Sequence, residues 1–473
     1  MIRCLIFGCF LILGVSPTLR AQTNAGSDSE RLERLERAVQ LLQQRNAELE
    51  KEVSSLKSSK KPSAAAPAPP AAEGKAVVEK TEVKEEKKPV YAVAAASELK
   101  LTLGGFVQPQ LEAGDVFAFE GRFQSATGEI KDRFRLRRAR INVSGDYAEQ
   151  FDFKLEGEFS QSDTTLTVRD AAGRTLASSS NRTAFGATDL FANWHRFPEL
   201  NIKAGQYKAP FGLEQLTSDT KLFLAERSLV TTALTPERQI GVMLWGKPFA
   251  TLWPAQKDLL SYSVGVFNGT GRNISTNDNN EFMYVGRLEV MALKSKILNQ
   301  EVGIKLGANG LSSRDAAGNT ISGALREAND GSLASYSLPS AGERTAFGFD
   351  ASVRFGPFDF VGEYLSERVA PRTVNGVAPL FTRFRADGYY LQGSYFVIPK
   401  KLQLVTKWET FNPDQFADDD IHSITGGVNY YIKGDDIRLL ANYIHTWSDF
   451  RASRPAFAKA EFDEVIVRLQ LMF

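Results

Sequence analysis

From Leu99 onward, apolar and polar residues alternate with a period of two in segments of about ten residues, the spacing of strands with one dry and one wet face. Phe151, Phe153, Leu155, Gly157 and Phe159 share one face, and Asp152, Lys154, Glu156 and Glu158 share the other. Phe347, Phe349, Ala351, Val353 and Phe355 oppose Asp350, Ser352 and Arg354, and Ile424, Gly426, Val428, Tyr430 and Ile432 oppose Thr425, Asn429 and Lys433. At the C-terminus, Val465, Val467, Leu469, Leu471 and Phe473 stand against Arg468 and Gln470. Sixteen such segments begin near residues 99, 133, 151, 187, 200, 238, 259, 282, 300, 346, 358, 383, 402, 422, 436 and 463.

A soluble sandwich also alternates. Three features point instead to a transmembrane barrel. Strands of about 9–12 residues match a tilted bilayer crossing. Aromatics gather at strand ends, as in Tyr389-Tyr390, Tyr395-Phe396, Trp408 and Tyr430-Tyr431, where membrane interfaces would hold them. Connections alternate between short and long. Asp146–Gln150, Gly356-Pro357, Pro399–Lys401 and Gly434-Asp435 are tight, whereas Phe117–Asp132, Gln161–Gly186, Gly269–Glu281, Asn309–Thr345 and Phe450–Phe462 are long and polar. The pattern predicts an all-β transmembrane barrel of about sixteen antiparallel strands over residues 98–473, wide enough to hold an aqueous lumen.

The first 97 residues follow other rules. Arg3 and the apolar run Leu5–Val15 read as a signal peptide ending near residue 21, so the mature chain starts in an exported compartment. Residues 29–57 carry a heptad, with Leu32, Val39, Asn46 and Val53 at a and Leu35, Leu42, Leu49 and Leu56 at d, which predicts a self-associating helical coiled coil. Residues 58–97 are rich in Ala, Pro, Lys and Glu and read as a spacer that buries no core.

Composition narrows the chemistry. A formal net charge of +1 argues against nucleic acid as a partner. Cys4 and Cys9, the only cysteines, fall in the signal peptide, which removes disulfide, Cys-zinc and thiol chemistry from the mature chain. His195, His422 and His445 are far apart in sequence, so no metal site, cofactor or catalytic residue is assigned. Asp418–Asp420 and Asn277–Glu281 could bind Ca²⁺ through oxygens, but both lack EF-hand spacing and read as solvated loop.

Arg137 and Arg138 are the first candidate site. Phe134 and Leu136 have one parity; Ala139, Ile141 and Val143 have the other. The outward face therefore switches at the two arginines, as it does at a β-bulge. A bulge lets both guanidiniums face the lumen, where planar forks suit phosphate and carboxylate oxygens. An ion pair with Glu156, Glu158 or Asp189 is the alternative role.

The chain from about residue 98 resembles the phosphate-selective porin O and P family. The resemblance rests on Phe134-Arg-Leu-Arg-Arg-Ala-Arg-Ile141, on Ala204-Gly-Gln-Tyr-Lys-Ala-Pro-Phe-Gly-Leu-Glu-Gln-Leu-Thr-Ser218 followed by Leu224-Ala-Glu-Arg-Ser228, and on Tyr262-Ser-Val-Gly-Val-Phe-Asn-Gly269 and the closing Val467–Phe473. It implies a sixteen-stranded, homotrimeric, anion-favouring channel in the outer membrane, with the coiled coil in the periplasm. It also implies that the loop after the fifth strand, Ala209–Glu237, folds into the lumen. Lys208, Lys221 and Arg227 would then join Arg137 and Arg138 as pore or anion-binding residues.

Three departures from the family pattern argue against strict phosphate selectivity. Phe106 stands where phosphate-selective members have Arg. Gln215 stands where some have Lys. The fifth outer loop has only Arg314, Arg326 and Arg344, widely spaced. The expected function is passive diffusion of small solutes, with a weak preference for anions such as phosphate. Alternatives are a tether that reaches peptidoglycan through the N-terminal region, and a barrel hydrolase.

Overall fold

A computed structural model of the protein describes residues 90–92, 99–115, 132–160, 162–169, 175–183, 185–297, 300–327, 333–376, 378–457 and 459–473. The signal peptide, the coiled coil and most of the spacer lie outside the described residues.

A short strand β1 (Val90–Ala92) is followed by β2 (Leu99–Gly114), β3 (Arg133–Tyr147), β4 (Phe151–Glu158), β5 (Ser162–Arg169), β6 (Thr175–Thr183), β7 (Gly186–Phe197) and β8 (Leu200–Lys208). Helices α1 (Leu213–Leu216) and α2 (Leu229–Leu234) come next. They precede β9 (Arg238–Gly246), β10 (Leu260–Phe267), β11 (Met283–Ile297), β12 (Gln300–Asp315), β13 (Thr320–Glu327), β14 (Leu333–Ser337) and β15 (Gly342–Phe355). The chain ends with β16 (Phe358–Pro371), β17 (Phe384–Ile398), β18 (Leu402–Asn412), β19 (Ile421–Lys433), β20 (Ile437–Ser448), α3 (Asp449–Ala452) and β21 (Glu461–Met472).

Sixteen of these strands form one antiparallel ring in which each pairs with its neighbour, and β21 returns to β2 through pairs from Phe106–Met472 to Gly114–Glu464. Closure leaves no unpaired edge, as a hydrocarbon solvent demands. The sixteen expected strand starts fall within a few residues of those observed.

Three connections carry structure that the alternation pattern did not foretell. Gln161–Gly186 holds the β5–β6 hairpin. The expected loop Asn309–Thr345 is shorter, because β12 runs to Asp315 and β15 starts at Gly342, and between them lies the β13–β14 hairpin. The connection from β9 to β10 is a longer turn with a short 3-10 segment, Pro254–Gln256. The end of the expected spacer pairs with the start of β2, Val90 opposite Thr102 and Ala92 opposite Leu101.

The outer surface is apolar. Leu155, Leu244, Phe349, Phe360, Leu404 and Val428 are exposed, and the positions beside them on the other parity include Lys154, Glu156, Asp350, Asp359, Gln403 and Asn429. In a bilayer this arrangement places hydrocarbon against lipid and polar groups in the lumen. Aromatic contacts mark both rims: Phe358 stacks on its cross-strand partner Tyr395 with centroids 4.6 Å apart, and Trp408 meets Trp447 at 5.4 Å.

The bulge read from parity is present. Gln108 pairs with Arg138 and Pro109 with Leu136, so Arg137 has no partner on β2. Phe134 (88% exposed) and Leu136 face outward before it, and Ile141 and Val143 after it.

Candidate functional site: an inward loop latched to the wall

Lys208 ends β8, and Pro210 removes a ladder donor two residues later. Gly212 then takes φ 81°, a turn that L side chains rarely adopt, and the chain runs inward to Glu237. The fold thus places the loop where the family resemblance implied.

Two kinds of contact hold it. Phe211, Leu229, Val230, Ala233 and Leu234 are buried with inward residues such as Met243, Phe267, Leu365 and Phe411, so α2 has its own apolar core inside the ring. Each such large side chain contributes about 1.5–3 kcal/mol when fully buried. Polar wall residues meanwhile bond the loop backbone. The Leu213 and Glu214 amides donate to the Glu363 carboxylate at 2.6 and 3.1 Å. The Leu229 amide donates to Glu409 at 2.6 Å, and the Ala225 amide to Asn442 Oδ1 at 2.7 Å. The Leu222 and Phe223 carbonyls accept from Arg438 (2.8 Å) and Asn429 (2.6 Å). A loop inside a barrel has few water partners, and these wall groups replace them.

The candidate cations meet at this loop. Arg137 Nε and Nη2 donate to the two Glu226 oxygens at 2.8 and 3.0 Å. Arg138 bonds Gln108 at 3.0 Å and lies 3.6 Å from Asp219 and 3.5 Å from Glu226. Arg227 donates to Asp219 at 2.6 Å and to the Glu214 and Thr217 carbonyls at 3.0 and 2.8 Å. Lys208 donates to the Gln215 and Thr217 carbonyls at 2.7 and 3.0 Å, closing the C-terminal end of α1. Lys221, on the same loop, is exposed.

The pairing partners differ from those weighed from sequence. Glu156 and Glu158 lie beside Arg140, at 3.8 and 2.7 Å, and Asp189 lies beside Arg238 and Lys154. Arg137 and Arg138 instead meet the loop acids. Arg140 also reaches Asp219 at 2.6 Å, and Arg468 bonds Glu226 and the Ala225 carbonyl.

Burial opposes charge on Asp219, but Arg227, Arg138 and Arg140 outweigh it and hold the carboxyl well below the usual carboxylate range. Burial opposes charge on Glu226 too, and Arg137, Arg468 and Arg138 lower it in the same way. Two carboxylates on the loop therefore latch it to cations of β3 and β21. Among the five expected site residues, Arg137, Arg138, Arg227 and Lys208 all donate to the loop or its wall partners, and of these Arg137 still keeps a side chain 24% exposed.

Sequence parity hid a second basic group. Lys294, Lys296, Lys305 and Arg354 line a cavity of about 670 Å³ at the ends of β11, β12, β15 and β16, with Glu301, Asp359 and the loop residue Phe223. These strand ends adjoin the short turns, as does β1. Lys294 and Lys296 share parity with the outward Leu288 and Val290, and simple alternation would send them to lipid. A register shift between Met291 and Leu293 re-aims them. Lys305 meets Glu289 at 2.8 Å, Arg354 meets Asp359 at 2.6 Å, and Lys294 lies 3.6 Å from Asp258.

Phe106 is buried, with the Arg140 guanidinium 5.4 Å from its ring centre, and Gln215 is buried in α1. Each histidine faces an aspartate: His195 with Asp152 at 3.3 Å, His422 with Asp449 at 3.4 Å and His445 with Asp463 at 2.9 Å.

The model of the family described as phosphate-selective porin O and P matches residues 112–473. No curated protein matches the sequence. Among solved structures, the outer-membrane-expressed OmpT of Vibrio cholerae is 13% identical, with a TM-score of 0.48 over 81% of this chain and 100% of that one. The outer membrane channel DcaP of Acinetobacter baumannii is 12% identical, with a TM-score of 0.44 over 81% and 100%. OprB of Pseudomonas putida is 9% identical, with a TM-score of 0.45 over 79% and 94%.

Proposed function

We propose that this chain, which belongs to the phosphate-selective porin O and P family, passes small solutes by diffusion and favours anions weakly. It is an outer-membrane porin by that membership, and the finer reading concerns what it prefers. The preference is supported by one observation above all: four cations and two carboxylates line the cavity beneath the inward loop. Fixed charge at a constriction sets the local concentration of counter-ions and hence the ion preference. Because Lys305, Arg354 and Lys294 each have a carboxylate nearby, the excess is small.

In this reading Arg137 and Lys221 add positive potential for a passing anion, while Arg138, Arg227 and Lys208 fix the loop that narrows the passage. Phosphate is one small anion among those admitted. Residues 29–57 would sit in the periplasm, within reach of peptidoglycan, and would join the chains of a homotrimer.

The test is the reversal potential of purified protein in a planar bilayer under a KCl gradient. Replacing Lys294, Lys296 and Lys305 by Gln is expected to shift it toward cations with little change in conductance. An unchanged reversal potential would remove the cavity lysines from the account of selectivity.

A further inference from the structure

His422 is the second residue of β19, at the rim that carries the long loops. The side chains of Asp420, His422 and Asp449 bring one ligand atom each to within 4.8 Å of one another. Asp420 precedes β19 and Asp449 opens α3, so the carboxylates come from the ends of two different outer loops. The Asp449 amide donates to the Asp420 carbonyl at 2.9 Å, which keeps these loop ends side by side.

Three details of this cluster fit a bound metal ion. First, the imidazole is oriented by an outside group: Nδ1 lies 3.1 Å from Thr410 Oγ1, which leaves Nε2 for the carboxylates. A metal-bound histidine is commonly held in this way through its second nitrogen. Second, Asp420 Oδ1 is shielded from solvent and has no hydrogen-bond partner. A divalent cation would satisfy that oxygen. Third, Nε2 and Asp449 Oδ2 are 3.4 Å apart. Ligands on a tetrahedral ion with bonds of about 2.0–2.1 Å stand about 3.3 Å apart.

We propose that Asp420, His422 and Asp449 form a binding site for a first-row divalent cation, Zn²⁺ being the best match, which ties the loop 413–420 to α3 at the outer rim. One nitrogen and two carboxylate oxygens suit Zn²⁺ better than Ca²⁺ or Mg²⁺, which take oxygen ligands. The Asp449 side chain is 43% exposed, so water can complete the shell. The site stands on the apolar outer face: the His422 ring lies 5.3 Å from Trp447 and 6.2 Å from Trp408. Its role is to brace loops, independent of any charge in the lumen.

The experiment uses the full chain without a polyhistidine tag, folded in detergent, stripped with EDTA and titrated with ZnCl₂ by calorimetry. Co²⁺ quenching of tryptophan fluorescence gives a second readout. The expected result is one saturable Zn²⁺ site per chain. His422→Ala should abolish it, and Asp449→Asn should weaken it by roughly tenfold or more. His445→Ala should bind Zn²⁺ and be quenched by Co²⁺ as the wild type is, whereas His422→Ala should lose the quenching. If His422→Ala folds poorly, Asp420→Asn gives the same reading. Absence of saturable Zn²⁺ uptake by the wild type, or equal affinity after loss of His422 or Asp420, would overturn the site. Conductance is expected to be unaffected in every variant, which separates this result from the channel reading.

Discussion

Replacing Asp219 by Asn and Glu226 by Gln in the same chain is expected to raise single-channel conductance severalfold and to make the open level noisy. The two carboxylates are the counter-charges for Arg137, Arg138, Arg140, Arg227 and Arg468. Removing one partner of a buried ion pair costs about 3–5 kcal/mol, because the other charge is left stranded. Here the stranded cations, most of them buried between the loop and the wall, lie next to the lumen, so the cheaper response is for the segment between α1 and α2 to move off the wall and let water in. The apolar core around α2 is untouched, so the barrel itself should assemble and migrate normally. Planar-bilayer recording of the double variant reads the effect, and a conductance equal to that of the wild type would mean the carboxylates do not hold the loop.

Deleting Arg137 is expected to leave a folded barrel whose β3 runs without a bulge. The residue is the extra one in the β2–β3 ladder: Leu136 already faces Pro109 and Arg138 already faces Gln108, so without Arg137 the two become consecutive and the register on either side is kept. Phe134 and Leu136 then still face outward, as do Ile141 and Val143. What is lost is the pair of bonds to Glu226, at 2.8 and 3.0 Å, and the local bend that turns two consecutive arginines inward. Arg137→Ala loses the same bonds and keeps the bulge. Both variants should give a band that shifts on boiling; an unfolded band from the deletion alone would show that the bulge itself is needed for assembly.

Why the bulge was legible and the latch was not follows from distance along the chain. The parity change from Phe134 and Leu136 to Ile141 and Val143 is written in ten consecutive residues. The same local alternation placed all sixteen barrel strands. The acids that meet Arg137 and Arg138 are about eighty residues away, and Arg468 comes from the last strand. No local pattern joins them, so the acids of the neighbouring strand, Glu156 and Glu158, were the natural guess; they pair with Arg140 instead.

The cavity lysines are hidden in the sequence for the opposite reason. Their local pattern was readable but misleading, because the register shift near Met291 reverses the face on which Lys294 and Lys296 lie. The flanking Ala292 and Leu293 are both apolar and give no parity signal of the kind that marked Arg137. The cluster around His422 was invisible for a third reason. Its ligands sit at positions 420, 422 and 449, on loop ends that only the pairing of β19 with β20 brings together.

The central claim is that residues 99–473 close into a cylinder whose interior passes solute around a fixed loop. Recording from a planar bilayer to which the purified wild-type protein is added tests this most directly. The account expects discrete current steps of uniform size, with a reversal potential displaced modestly toward the anion limit in a KCl gradient. Membranes that stay silent over repeated additions of correctly folded, heat-shifting protein would contradict it.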